Sequence, residues 1–341
     1  MVEKKRNISL DVLKCMSCLA VIILHVAGNN SGIFNRILYY LSSFAVPVFF
    51  LVNGNLLLNK NNIGYKYVCI KVLRIIKVTF IWNVMVSIAM FIILKRIENP
   101  IVETAKNFIQ EGYFWQFWFF GALIIIYCFL PLIHKVFKNI KYSVIIVGIF
   151  IIFSVIIDVI SLVRVLGGRE LIQINIIQTF RIWTWFAYFS LGGLLGKEEV
   201  LDTINSIFIK VNMKKKLIFF VLYSAFVVAY EIFISSYIYK IKFAEYYYDN
   251  IIMFIWIISI FYLINSIKIT NIKIIRFIDF FSENIIGIYI LHVTVIMILD
   301  KVFKFTTSIM NIISIFIVCL ISLGISCILN KIEPLKRLIK I

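Results

Sequence analysis

Long apolar stretches dominate the pattern of hydrophobic and polar positions along this chain. Because bilayer hydrocarbon is about 30 Å thick, a helix that crosses it needs roughly 20 mostly apolar residues. Stretches of about that length recur ten times, separated by short polar connections. The pattern therefore predicts an all-α integral membrane protein with about ten transmembrane helices, over residues 9–27, 38–58, 75–94, 115–133, 143–163, 174–195, 217–239, 250–267, 284–299 and 308–329.

Composition agrees with this class, and charge adds an orientation. The 341 residues are 62% hydrophobic and 15% charged, with a mean hydropathy of +1.00, which excludes an ordinary soluble domain. The net charge of +18 could suggest nucleic acid, but Lys and Arg in a membrane protein gather in cytoplasmic loops. With the N-terminus inside, the inner segments hold 22 of the 35 basic residues and the outer loops hold 10. This distribution predicts both termini in the cytoplasm and no nucleic-acid partner.

The connections leave no room for a separate soluble domain. We expect one transmembrane domain over residues 6–330, followed by a basic cytoplasmic tail over 331–341. Asp11 and Lys14 interrupt the first apolar stretch, so we expect a retained helix and not a cleaved signal peptide. The six cysteines predict no disulfide framework. We expect no metal site and no bound cofactor.

The first predicted helix carries three ionisable side chains, Asp11, Lys14 and His25. Such residues are costly in a bilayer and usually face a bundle interior or a wet cavity. At 100° per residue, His25 lies about 20° from the bearing of Lys14 and about 16 Å further along the helix. The three therefore form one stripe. The stripe could face a functional cavity, or Asp11 and Lys14 could simply pair near the inner interface, and helical geometry alone leaves both open.

Other predicted spans add candidate polar residues. Arg181 has apolar flanks, so we expect it to reach a cavity or a buried acid such as Asp158 or Glu231, as a structural ion pair or as a functional group. His292, with Tyr289 one turn before it, could carry a proton or make only a helix contact.

We expect His134, at the inner end of the fourth predicted span, to be a solvated interface residue.

Six landmarks occur in order along the chain. They are Asp11 with Lys14-x10-His25, "VPVFFLVNGNLLL" at 46–58, "KVLRIIK" at 71–77, "FWFFGALIIIYCFLP" at 117–131, "YFSLGGLLG" at 188–196 and "NIIGIYILH" at 284–292. Together they make the chain resemble the bacterial membrane acyltransferase-3 family, in particular O-acetyltransferases of cell-surface polysaccharides that lack an extra esterase-like domain. The motif positions beyond the first helix and the basic run are Asn53, Gly54, Trp118, Tyr127, Arg181, Tyr289 and His292.

Three positions depart from the family pattern. Asn53 stands where Ser is usual, and Lys14 and Lys71 stand where Arg is more frequent. Lysine keeps the positive charge but loses the planar bidentate fork of arginine. Binding of phosphate as a point charge survives these changes, whereas a role for the Ser hydroxyl does not.

The resemblance implies that the chain moves an acyl group, in the family commonly acetyl, from cytoplasmic acyl-CoA to a hydroxyl of a cell-surface or lipid-linked glycan. Acetyl-CoA is then a donor substrate, and the implied location is a bacterial-type inner membrane. The resemblance implies catalytic roles for His25, Lys14 and Asp11. It implies acyl-CoA binding by Lys71 and Arg74, within a basic inner loop over 59–74 that the orientation rule alone also explains.

Histidine can act in acyl transfer as a general base or as an acyl carrier, and both roles stay open for His25. The donor that stabilises the oxyanion could be Lys14, Asn53 or Trp118.

Two other classes of function are alternatives. A secondary transporter or glycan exporter would use the intramembrane charges for ion coupling, and would be expected to show paired broken helices in two halves, a pattern the sequence lacks. An inactive relative could serve as a scaffold in envelope assembly. The acceptor could also be a small alcohol or amine, and the acyl group could be longer than acetyl, such as succinyl.

Overall fold

A computed structural model describes residues 7–28, 32–208, 211–303 and 307–340 of the chain. Within these residues, eight helical segments are long and apolar enough to cross a membrane. Two shorter apolar helices, Ile182–Leu195 and Ile251–Ser266, complete the ten predicted positions. The predicted class, an all-α integral membrane protein, is confirmed. Position 6, where the predicted domain begins, and position 341, where the predicted tail ends, lie outside the described residues.

The α-helices of the described residues are numbered here in chain order. They are α1 (Ile8–Gly28), α2 (Ile33–Leu41), α3 (Ala45–Leu58), α4 (Tyr65–Leu94), α5 (Pro100–Phe108), α6 (Trp118–Val136), α7 (Ile140–Leu166), α8 (Ile182–Leu195), α9 (Glu198–Phe208), α10 (Met213–Phe233), α11 (Ile251–Ser266), α12 (Ile272–Val302), α13 (Ser308–Lys331) and α14 (Glu333–Lys336). A 3₁₀ turn over Trp115–Phe117 leads into α6, and a π-helical turn over Ile234–Ile238 ends α10.

Polar side chains mark where many of these helices begin. A side-chain oxygen at the N-cap accepts a hydrogen bond from a backbone N–H of the first turn, which would otherwise lack a partner. Asparagine does this before five helices and threonine before one. The capping residues are Asn99, Asn139, Asn212, Asn250, Asn271 and Thr307.

The predicted span 38–58 is broken in the structure. It is divided between α2 and α3, with residues 42–44 between them. At the break, the Ser43 hydroxyl lies 2.8 Å from the Tyr40 carbonyl oxygen and 3.2 Å from both carboxyl oxygens of Glu231 on α10. Hydropathy could not show this break because its flanking residues are apolar on both sides.

The predicted loop over 59–74 is largely helical, so that part of the prediction is wrong. Only residues 59–64 connect α3 to α4, and Lys71 and Arg74 lie in the first turns of α4. With 30 residues, α4 is about 45 Å long, which exceeds the thickness of bilayer hydrocarbon. A hydropathy pattern records only the apolar part of such a helix, because its basic first turns lie beyond the lipid.

Two glycines allow α3 and α8 to pack with their backbones close together. A Cβ added at Gly54 would lie 1.7 Å from the Phe189 carbonyl oxygen, and one added at Gly192 would lie 1.8 Å from the Leu51 carbonyl oxygen. Small residues commonly permit such close approach between helices in membranes. This contact gives Gly54 a structural reason to be glycine.

The polar connections gather at two opposite ends of the bundle. Asn7, Asn59, Gly196 and Glu283 line one common cavity, and every one of them lies in a segment that the charge pattern predicts to be cytoplasmic. We call this the Lys14 end. The other end, called the His25 end, holds Gly28, Trp115, Glu245 and Asp300 around a second cavity.

The residues after α13 pack against the bundle. After the short helix α14, Leu338 and Ile339 are buried, and the Trp82 indole of α4 donates a hydrogen bond of 2.9 Å to the Leu338 carbonyl oxygen. At least this part of the predicted tail over 331–341 contributes to the packed structure.

Candidate active site

Two cavities lie toward opposite ends of the bundle, and the same four helices, α1, α3, α6 and α12, line both. The Lys14 cavity has a volume of about 1070 Å³, and the His25 cavity has a volume of about 370 Å³. The Lys14 cavity is lined by, among others, Asp11, Lys14, Asn53, Lys60, Lys71, Tyr127 and Lys197. The His25 cavity is lined by, among others, His25, Trp115, Gln116, Trp118, Tyr289, Lys242, Glu245 and Asp300.

A thin partition separates the two cavities. Along α1, Lys14 lines one cavity and Val21 the other, a separation of ~10 Å of helix rise. Along α3, Phe49 and Asn53 are separated by only ~6 Å of rise. Between the cavities, these four helices bury Cys18, Phe50, Leu123 and Ile285. A flexible ligand arm therefore needs to cross little more than one or two helical turns to reach from one cavity to the other.

His25 lies in the outer half of α1, partly exposed to its cavity. The Trp115 ring stands edge-on to the imidazole, with ring centroids 5.1 Å apart, and the His292 ring lies 5.2 Å away. The indole and the second imidazole thus hold His25 between them at the cavity wall.

His292 stands behind His25 and is fully buried. Its Nδ1 lies 2.6 Å from the Tyr289 carbonyl oxygen, which can only accept a hydrogen bond. Nδ1 therefore carries the hydrogen, and in a neutral imidazole Nε2 is then a free acceptor. Among the described residues, this buried Nε2 has no hydrogen-bond partner. His292 thus offers an acceptor nitrogen in the immediate surroundings of His25.

A hydrogen bond and an aromatic contact connect the helices that form the wall of the His25 cavity. The Tyr289 hydroxyl donates a hydrogen bond to the Gln116 carbonyl oxygen, which ties α12 to the 3₁₀ turn before α6. The Trp118 indole packs against Trp185 with ring centroids 5.2 Å apart. Trp118 and Tyr289, two motif positions, therefore meet at the cavity that contains His25.

The Lys14 cavity holds the inner part of the α1 stripe. The Lys14 ammonium lies 2.6 Å from a carboxylate oxygen of Asp11, which also accepts a hydrogen bond of 3.0 Å from Ser282. Asp11 thus fixes the position of the ammonium. Lys14 and Asp11 lie in a different cavity from His25, so the structure does not bring these three predicted catalytic residues into one contact.

The two predicted acyl-CoA ligands are also separated. Lys71 lines the Lys14 cavity, whereas Arg74 is exposed one turn further along α4 and is absent from the described residues that line the cavity. The charge around this cavity is mixed, because four lysines and four acidic residues among the described residues line it. The lysines are Lys14, Lys60, Lys71 and Lys197, and the acids are Asp11, Glu198, Glu199 and Glu283.

Two further motif positions, Asn53 and Tyr127, line the Lys14 cavity. The Asn53 amide nitrogen donates a hydrogen bond of 2.9 Å to the Phe49 carbonyl oxygen one turn earlier in α3. The Asn53 amide is therefore held against its own helix at the partition.

Arg181 forms a buried ion pair, but with a partner other than the two predicted. One guanidinium nitrogen lies 2.9 Å from a carboxylate oxygen of Asp249, and neither side chain is exposed. The expectation of a buried acid agrees with this pair, but the two acids named as examples, Asp158 and Glu231, accept hydrogen bonds from uncharged side chains instead. Arg181 also precedes α8 and does not lie inside a helix, since two 3₁₀ turns occupy the start of the predicted span 174–195.

His134 is buried, so the expectation of a solvated histidine is wrong. Its Nε2 lies 2.7 Å from the Lys60 carbonyl oxygen, because the short α3–α4 connection folds over it.

Several residues of the His25 cavity were not identified from the sequence: Trp115, Gln116, Lys242, Glu245 and Asp300. Trp115 and Gln116 directly precede the landmark at 117–131, which is a signal that could have been used. Lys242 and Glu245 lie in the connection between α10 and α11, and nothing in an isolated polar loop indicates that it folds back toward α1.

Residues 7–331 match the model of the acyltransferase-3 family, which is described as an acyltransferase domain. The match covers nearly the whole chain. No curated protein and no solved structure matches the chain. The chain therefore belongs to the acyltransferase-3 family and is a multi-pass membrane acyltransferase.

Proposed function

We propose that the protein transfers an acetyl group from acetyl-CoA in the Lys14 cavity to a hydroxyl of a cell-surface or lipid-linked glycan in the His25 cavity. This proposal is supported by one observation: four shared helices line a large cavity that contains four lysines and a smaller cavity that contains His25, with a thin partition between them. Donor and acceptor would then approach from opposite ends of the bundle.

The form of the donor suits this arrangement. Coenzyme A carries its phosphates at one end and its thioester at the other end of a flexible arm. Lys14, Lys60, Lys71 and Lys197 would attract the phosphates, since clustered positive charge raises the local concentration of anions. The arm would cross the partition along α1 and present the thioester to His25. Arg74, which is exposed outside the lining of this cavity, is not used in the proposal.

At the other end, His25 would take the proton of the acceptor hydroxyl. The alcohol oxygen would attack the thioester carbonyl carbon, the carbon–sulfur bond would break, and the coenzyme would leave as a thiolate. The proton on His25 would then return to the thiolate or to solvent. His292 supports the role of base, because its free Nε2 can accept a hydrogen bond from one nitrogen of His25 while the other faces the cavity.

An oxyanion forms on the carbonyl oxygen during this attack and needs a hydrogen-bond donor. Of the three candidate donors, Lys14 and Asn53 line the other cavity, and Trp118 lines the cavity of His25. Trp118 is therefore the donor that we assign.

The charge pattern supports an orientation with the Lys14 end in the cytoplasm, where acetyl-CoA is available. The corresponding location is the inner membrane of a bacterial-type cell, with acyl transfer to glycan on its outer side.

The proposal is tested with purified protein in lipid nanodiscs, radiolabelled acetyl-CoA and a glycolipid extract as acceptor. We expect His25→Ala to abolish labelling of the extract, while Cys128→Ala, at an exposed site on α6, retains wild-type labelling. Unchanged labelling by a folded His25→Ala variant contradicts the proposal.

The same preparation separates the remaining alternatives. With the acceptor omitted, label that stays on wild-type protein but is absent from His25→Ala would identify His25 as an acyl carrier and not a base. Glycan uptake into vesicles without acetyl-CoA would support the transporter alternative, and wild-type protein that never cleaves acetyl-CoA would support the scaffold alternative.

A further inference from the structure

The His25 cavity contains a carboxyl group that the proposed transfer does not use. Glu245 lies in the connection between α10 and α11, which folds back to form one wall of the cavity.

The backbone around Glu245 is held firmly in place. Arg181 donates a hydrogen bond of 2.7 Å to the Glu245 carbonyl oxygen, and the Ala244 N–H donates one of 2.9 Å to the Tyr39 hydroxyl. The Lys242 ammonium lies 3.1 Å from each of the last two carbonyl oxygens of α1. These contacts anchor the connection to α1, to α2 and to the residue just before α8, so the backbone that carries Glu245 is held at three points.

Only one of the two carboxyl oxygens of Glu245 accepts a hydrogen bond from the described residues. Gln178 donates a hydrogen bond of 2.5 Å to Oε2, whereas Oε1 accepts none from the described residues. Glu245 is not the counter-ion of Arg181, because Asp249 already pairs with that guanidinium and both are fully buried. Burial raises the pKa of Glu245 to about 7, with Arg181 and Gln178 acting in the opposite direction. Burial disfavours the ionised carboxyl group, and one of its oxygens has no hydrogen-bond donor among the described residues. Such a carboxyl group is typical of a ligand-binding position.

The charges that face Glu245 come from several elements. Lys242 is on the same connection and is engaged with the end of α1, Asp300 lies at the end of α12, and Arg181 is matched by Asp249. Among the described residues, two carboxylates therefore line the cavity, together with one ammonium that already has partners. An anionic ligand would meet repulsion here.

Size and lining favour a single sugar or polyol unit. A volume of about 370 Å³ is near the lower end of the ~300–1,000 Å³ range of small-molecule sites. Trp115, Trp118 and Tyr289 supply aromatic surface, and Glu245 supplies a localised acceptor. This combination suits a molecule with apolar C–H faces and several hydroxyl groups.

We propose that Glu245 binds the acceptor by accepting hydrogen bonds from its hydroxyl or amino groups, and that it selects neutral or cationic sugar units over anionic ones. The inference rests on the proposed function, because it names the class of acceptor for that transfer. Glu245 thereby determines specificity and orients the reactive hydroxyl toward His25.

The experiment compares three acceptors with one scaffold, methyl glucoside, methyl glucosaminide and methyl glucuronide, in acetyl transfer by the protein in nanodiscs. We expect kcat/KM for the glucoside and the glucosaminide to exceed that for the glucuronide by about tenfold or more. A hydrogen bond to a charged group is worth about this factor. In Glu245→Gln, we expect this ratio to fall to about threefold or less, chiefly through a higher KM for the neutral acceptor. Glu111→Gln removes an exposed carboxylate from the connection just before Trp115 and should keep the wild-type ratio.

A wild-type protein that prefers the glucuronide, or a folded Glu245→Gln variant with an unchanged ratio, overturns the inference. Binding of the same three glycosides, followed by quenching of tryptophan fluorescence, separates this result from failure of the proposed function. If acetyl transfer is absent but the binding preference exists and depends on Glu245, only the proposed function fails. If neither the glucoside nor the glucosaminide binds at high millimolar concentration, the inference fails whether or not acetyl-CoA is cleaved.

Discussion

The buried ion pair between Arg181 and Asp249 predicts a large loss of stability when one charge is removed. Asp249→Asn keeps the size of the side chain but leaves the guanidinium without a counter-ion in a site with no exposure. Besides Arg181, the Asp249 carboxylate accepts hydrogen bonds from Thr184 and from Gln173, the latter at 3.2 Å. We therefore expect the substitution to affect the whole connection that carries Glu245.

The magnitude follows from the burial. Breaking a fully buried pair by removing one partner costs about 3–5 kcal/mol, because an uncompensated charge stays inside. In the double variant Arg181→Gln with Asp249→Asn, both charges are gone and most polar contacts can be re-formed. We expect the double variant to be less destabilised than the sum of the two single variants by about 2–3 kcal/mol.

The assay is the free energy of unfolding of purified protein, measured by SDS titration in mixed micelles for the wild type, both single variants and the double variant. Acetyl-CoA cleavage is measured on the same samples. The ion pair does not stabilise the fold if the losses of unfolding free energy in the two single variants add up to the loss in the double variant. The same follows if Asp249→Asn unfolds within about 0.5 kcal/mol of the wild type. A stable Arg181→Gln variant that no longer cleaves acetyl-CoA would instead place Arg181 in the chemistry.

Four further outcomes can be checked. We expect His292→Gln, which can still accept a hydrogen bond, to retain about tenfold more kcat than His292→Ala, measured over a pH profile. Lys71→Ala should raise the KM for acetyl-CoA about three- to tenfold and Arg74→Ala should not, both measured at several salt concentrations. Because Glu245 must ionise to be a strong acceptor, the KM for a neutral acceptor should fall as pH rises through about 7, and Glu245→Gln should remove that dependence. Gly54→Ala should lower unfolding stability by about 1–3 kcal/mol, because its Cβ would overlap the α8 backbone.

The fold class and the positions of the helices could be predicted because membrane burial demands long apolar stretches. The charge pattern assigns alternate connections to the same side of the membrane, and in the structure such connections lie at one end of the bundle. Asn59 and Glu283, for example, line the same cavity. The break at Ser43 and the basic first turns of α4 could not be predicted in this way. Both depend on polar contacts and on helix continuing beyond the lipid, and hydropathy records neither.

The candidate site could be predicted only along one helix. Helical periodicity places Lys14 and His25 on one stripe of α1, and the structure puts each of them at a cavity. Periodicity within α1 carries no information on what approaches from other helices. Three features depend on residues far apart in the sequence, for which a single sequence gives no spacing rule. They are the His292 ring near His25, the position of Glu245 at the His25 cavity, and the pairing of Arg181 with Asp249.

In the proposed function, an acyl group passes through the partition from a donor at the Lys14 end to an acceptor at the His25 end. The most direct test traps radiolabelled acetyl-CoA inside proteoliposomes and supplies a membrane-impermeant polysaccharide, such as dextran substituted with glucoside units, only outside. We expect wild-type protein to label the outer polysaccharide and a folded His25→Ala variant to leave it unlabelled. The vesicles contain the protein in both orientations. Transfer through the partition is contradicted if the polysaccharide is labelled only when donor and acceptor are in the same compartment.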